Sequence, residues 1–124
     1  MAYFDYFELH KNCKRAYLAK GKNYITFNED WCLKNTDLVP EFAINDFNEC
    51  LLKSFDTKLG KNTEKIIDFK LVEGLEHGYK INVKENAVTF IASEKSALVQ
   101  AVFYAEDLMK LYGDASLEIK EHQI

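Results

Sequence analysis

The sequence predicts an α+β fold: a two-layer sandwich in which two main helices cover one face of a mixed or antiparallel sheet of about four to six strands. Three observations predict it. Tyr79, Ile81 and Val83 alternate with Lys80, Asn82 and Lys84 at the period-two spacing of a half-buried strand, and a second β-rich run, Val88–Ile91, follows after a short break. Two stretches, over about 37–59 and 94–112, repeat apolar residues every three or four positions along a single stripe. A helix with one apolar stripe needs a surface to cover, and the strands supply it.

The first 35 residues fit neither period cleanly. Phe4, Phe7 and Leu9 are apolar without a regular spacing. Ala16–Ala19 and Tyr24–Phe27 flank Lys20, Gly21, Lys22 and Asn23, which reads as a turn between two strands; a helix over 5–19 is the competing reading. The next helix lies between Asn35 and Gly60, with Thr36 or Asp37 as its cap and Pro40 in its first turn. Its stripe is Ile44, Phe47, Leu51, Phe55 and Leu59, and Gly60 is its expected stop. Ile66–Val72 reads as a strand with Ile67, Phe69 and Leu71 on one face.

The hairpin follows, with Glu85 and Asn86 as its turn and Asn86 as the residue able to adopt the left-handed conformation. Ser93 is the expected N-cap of the last helix, and Glu94 puts negative charge near its N-terminus. Ala97, Ala101, Tyr104, Ala105, Leu108, Leu111 and Tyr112 form its stripe, Lys110 lies in its last turn, and Gly113 ends it. Ser116–Lys120 reads as a closing strand. No internal repeat or low-complexity segment interrupts this order.

Composition bounds the rest. With 48% hydrophobic and 14% aromatic residues and a single proline, residues 1–124 can bury one core and form one domain. A formal charge of −4 offers no overall attraction to nucleic acid or to an anionic membrane, and no apolar run of spanning length is present. The local basic cluster Lys11, Lys14, Arg15, Lys20 and Lys22 reads as a solvated face, because no stacking aromatics are interleaved with it. Cys13, Cys32 and Cys50 are widely spaced and odd in number, so free thiols are expected. The opening MAYFDYFELHK lacks the form of a secretory signal, so the expected compartment is cytoplasmic.

No catalytic constellation emerges. A glycine-rich phosphate loop, G-x-S-x-G and C-x-x-C are all missing, and Glu76-His77 lacks the second histidine of H-E-x-x-H. His10, His77 and His122 stand apart from one another. Cys50 lies beside a helical stripe and reads as a small buried hydrophobe. Trp31, Tyr24 and Tyr79 have the faces to stack on a sugar ring, but core or interface positions are the expected reading. Glu106-Asp107 is an adjacent acidic pair on the last helix, and a solvated helix face is expected for it. No catalytic, cofactor-binding or metal-binding residue is assigned, and no cofactor is implied.

The segment Gly78–Gly113 resembles the small α+β domain that precedes the catalytic barrel in family-20 glycoside hydrolases, the β-N-acetylhexosaminidase and chitobiase type. The residues that carry the resemblance are the Gly78-Tyr79 pair opening the hairpin, Ala97 and Leu98 opening the helix, and Ala101, Phe103 and Tyr104 in its middle. The resemblance implies an N-terminal, non-catalytic domain that packs against the barrel of its own chain. Carbohydrate substrates carrying N-acetylhexosamine would be handled by that barrel, where an Asp-Glu pair works at a strand end. Glu106-Asp107 has the reverse order and sits on a helix, so those roles are not carried over. The closing segment Leu117–Ile124 resembles the family's approach to a D-x-P-…-R-G strand that opens the barrel, so the hydrolytic residues would lie beyond Ile124. Two other readings remain open: a free-standing ligand- or protein-binding module, and a small cysteine-dependent enzyme marked by a low thiol pKa at Cys13 or Cys32.

Overall fold

A computed structural model of the protein describes residues 23–75 and 78–123. The order of elements is β1 (Tyr24–Thr26), β2 (Trp31–Leu33), a 3-10 turn (Thr36–Leu38), α1 (Glu41–Phe55), β3 (Lys65–Leu71), β4 (Tyr79–Lys84), β5 (Ala87–Ala92), α2 (Lys95–Tyr112), β6 (Ser116–Glu118) and β7 (Glu121–Gln123). Five strands form a mixed sheet in the order β2-β3-β5-β4-β7, and β1 pairs with β6 in a small second sheet. The pairs β2–β3 and β3–β5 are parallel, whereas β5–β4 and β4–β7 are antiparallel. This is the expected α+β architecture.

Side-chain alternation decides which face is covered. Ile67 and Phe69 of β3, Tyr79, Ile81 and Val83 of β4, and Val88, Phe90 and Ala92 of β5 are buried. Their neighbours Asp68, Lys80, Asn82 and Thr89 point to the opposite face and are half-buried. The helices cover the first face: Ala43, Phe47 and Leu51 of α1 and Leu98, Ala101, Val102, Ala105 and Met109 of α2 join the strand residues in one core. Alanines at 97, 101 and 105 let α2 lie close to the sheet. Phe69 and Phe90 stack across the parallel β3–β5 pair, with ring centroids 5.2 Å apart.

The hairpin is as expected in position: Lys84 opposes Ala87, which leaves Glu85 and Asn86 as a two-residue turn. Its conformation differs, since neither residue has a positive φ. The Asn86 carbonyl accepts the Ile66 N–H at 3.1 Å, so the turn is held by the start of β3.

The first helix is shorter than 37–59. Asn35 has a left-handed backbone at φ 56°, residues 36–38 make only a 3-10 turn, and Pro40 occupies the N-cap. The Pro40 carbonyl accepts the Ala43 N–H at 3.0 Å, so the helix starts after it. At the other end Asp56 turns left-handed at φ 50°, and the Thr57 N–H closes onto the Leu51 carbonyl at 3.0 Å. The Asp56 N–H also reaches the Leu51 carbonyl, and these bonds stop the helix well before Gly60.

The second helix begins at Lys95, with Glu94 rather than Ser93 at the N-cap and no side-chain capping bond. It ends as expected on Gly113, at φ 84°. Its buried stripe is turned toward Leu98, Val102, Glu106 and Met109, while Leu111 stays exposed. The closing strand Ser116–Lys120 stops at Glu118, and a further strand, β7, pairs with β4. β2 and β7 were not expected as strands. The readings on residues 1–22, including Ala16–Ala19, the basic cluster, His10 and Cys13, lie outside the described residues, as do Glu76 and His77.

Candidate functional site

Two features stand out from the framework: a carboxyl contact between the helices and a cleft beside the β2 edge.

The contact centres on Glu106. Its side chain lies between the helices rather than on a solvated face, only 4% exposed, so the expectation for the acidic pair fails for Glu106 and holds for the exposed Asp107. Burial first, then a side-chain hydrogen bond with Asp46 of α1 and the Asp46 charge, push the Glu106 pKa up to about 8; Lys110 opposes the shift. Glu106 is therefore protonated at neutral pH, and its Oε2 is buried without a hydrogen-bond partner. A neutral Glu106 carboxyl can sit beside the Asp46 charge where α1 and α2 meet. The arrangement serves helix packing.

The cleft lies between the end of β2, α1 and the 57–62 connection, with a volume of about 670 Å³. Leu33, Ile44, Leu52 and Leu59 supply its apolar lining. Lys34, Lys58 and Lys61 supply its charge, and none of its lining residues is acidic. The walls are tied together. The Gly60 N–H donates to the Trp31 carbonyl at 2.8 Å, which fastens the connection to β2, and the Lys34 N–H donates to the Ile67 carbonyl at 2.9 Å. Asp68, the residue after Ile67, is engaged by the Asn35 amide at 2.6 Å and by the Phe69 N–H at 2.8 Å.

Cys32 lines this cleft but is only 4% exposed. Thr63 beside it, and more weakly Lys34, draw its thiol below the ordinary value against the opposing cost of burial. The burial leaves little sulfur surface for a substrate to reach. Cys50 is buried, as expected, and burial pushes its thiol up.

The three aromatics weighed as sugar platforms are committed elsewhere. Trp31 is fully buried against Phe27, Tyr79 is buried against Tyr104, and Tyr24 packs edge-on to Tyr112 with centroids 5.8 Å apart. His122 is buried with Nε2 3.0 Å from the Glu118 carbonyl, and burial lowers its pKa. Among the described residues, no cluster of His, Cys, Asp and Glu is arranged to hold a metal ion, and no helix is long and apolar enough to cross a membrane. Neither the buried Glu106 nor the cleft was foreseen from the sequence. The three lysines of the cleft come from two segments that only the folded topology brings together.

No protein-family model matches the chain, and no curated protein matches it in sequence. Among solved structures the fold is similar to that of a GH20 exo-β-N-acetylglucosaminidase from Vibrio harveyi, determined in complex with N-acetylglucosamine. The TM-score is 0.53 and the identity 19%. The likeness takes in 82% of this chain and 16% of that one, so this chain spans a small part of the enzyme's length. At that identity the likeness speaks for the fold: this chain has a GH20-like fold.

Proposed function

We propose that this chain is a non-catalytic accessory domain of a glycoside hydrolase acting on N-acetylhexosamine glycosides. It packs against a catalytic barrel in the same parent chain and supports it. The observation that carries the reading is the form of the fold likeness, which is broad on this chain's side and narrow on the hydrolase's side. The helix layer adds support. Phe42 is 60% exposed, and Phe103 and Leu111 are also exposed, large apolar side chains on the two helices that a second domain would cover. Under this reading the sugar chemistry belongs to the barrel, and the residues described above hold the domain's shape.

Immunodepletion tests it. An antibody raised against this domain is used to clear an extract of the source cells, and hydrolysis of 4-nitrophenyl N-acetyl-β-glucosaminide is measured in the captured and cleared fractions. The expected result is that activity moves with the captured antigen. Captured antigen without activity, with all hydrolysis left in the cleared extract, would overturn the reading.

A further inference from the structure

The cleft beside β2 is a positive, apolar-lined hollow on a chain whose acids outnumber its bases, 20 to 16. That inversion of local charge calls for a reason. Its volume of about 670 Å³ lies within the range of small-molecule sites. The hydrogen bonds at Gly60 and Lys34 fix two of its walls, so it is formed before any ligand arrives. Low-dielectric walls beside lysine ammonium groups concentrate positive potential in the hollow. Asn48 and Asn62 add neutral amide donors to the same lining.

We propose that this cleft binds a small organic anion. A phosphate, sulfate or carboxylate head is held by Lys34, Lys58 and Lys61, and an apolar body rests on Leu33, Ile44, Leu52 and Leu59. The two halves of the lining select for both properties together. A bare inorganic anion gains only the lysines, which water screens. A neutral apolar molecule gains only the leucine and isoleucine surface. The proposal stands independently of the parent chain's activity.

The test uses the full chain and 1-naphthyl phosphate, followed by naphthyl fluorescence. Saturable binding is expected, weakened about tenfold in the double variant K58Q/K61Q. Both lysines are exposed, so the fold is retained. The pair K84Q/K95Q, exposed and outside the cleft lining, makes the same change in net charge and is expected to keep affinity within about twofold. Inorganic phosphate is expected to compete only at concentrations about tenfold higher or more. Three results would overturn the proposal: no saturable binding, equal weakening by both double variants, or binding of neutral 1-naphthol as tight as that of 1-naphthyl phosphate.

Discussion

The Gly60 N–H donates to the Trp31 carbonyl at 2.8 Å, and this bond fastens the connection after α1 to the edge strand β2. The approach is so close that a Cβ on Gly60 would lie 2.1 Å from the Glu29 carbonyl oxygen, a backbone atom with little freedom to move. Gly60→Ala is therefore expected to destabilise the chain by about 1–3 kcal/mol, as overpacking does. Gly74 is the contrast: its φ is +81°, but a Cβ added there would meet no atom within 4 Å. Gly74→Ala carries only the cost of the left-handed backbone, about 1 kcal/mol. Urea unfolding of the two variants measures the difference, and equal losses would contradict the close-approach account.

Glu106 makes stability depend on pH. Its carboxyl titrates near 8 in the folded chain and at the ordinary 4.5 when unfolded. Between those values the folded state holds a proton that the unfolded state has released, so stability falls as pH rises toward 8. His122 acts at the other end. Its lowered pKa means that the unfolded state takes up a proton first, so stability falls as pH drops below its ordinary value of 6.5. The clean window for Glu106 is therefore about pH 7–8. Glu106→Gln, neutral throughout, is expected to flatten that limb, which has a slope of up to about 1.4 kcal/mol per pH unit. Unfolding free energies at about pH 7 and pH 8 for the two proteins check it.

The Phe69–Phe90 stack joins the central parallel pair of strands, and each ring belongs to a residue only 1% exposed. Phe90→Ala is expected to cost about 3–5 kcal/mol. That is a large part of the stability of a domain this size. Thermal unfolding followed by circular dichroism should show a transition shifted strongly downward or lost. A shift of only a few degrees would place the core elsewhere.

Phe42 and Phe103 are exposed on the helix layer. F42D/F103D is expected to change the stability of the isolated chain by only about 0.5 kcal/mol, as at other exposed sites. Under the proposed function, the same pair in the longer parent chain is expected to lower the melting temperature, because it would put two carboxylates against the covering domain. Equal effects in the isolated chain and in the parent would remove these residues from any interface.

Legibility followed the range of the interactions. The β4–β5 hairpin could be read because its pattern and its turn are local, and so could the helix stop at Gly113. β2 could not: Trp31–Leu33 is three residues long, too short to show a period, and is recruited by parallel pairing to β3. The first helix was drawn too long because Gly60 looked like a stop. The real stop is a left-handed Asp56, a conformation that glycine adopts more readily. Glu106 looked solvated because a charge on a helix usually is. Its hydrogen-bond partner Asp46 stands far earlier in the chain, and only the packing of the two helices brings the two near. The cleft likewise joins β2, α1 and the 57–62 connection, and no single stretch of the chain announces it.

The central claim is that this domain belongs to a longer hydrolase. The most direct test is the mass of the natural gene product, read by immunoblot of the source cells with an antibody to this domain. The account predicts a band heavier than this 14.4 kDa chain by at least a barrel of about 250 residues. A band no heavier than the 14.4 kDa chain would contradict it and leave a free-standing module as the reading to pursue.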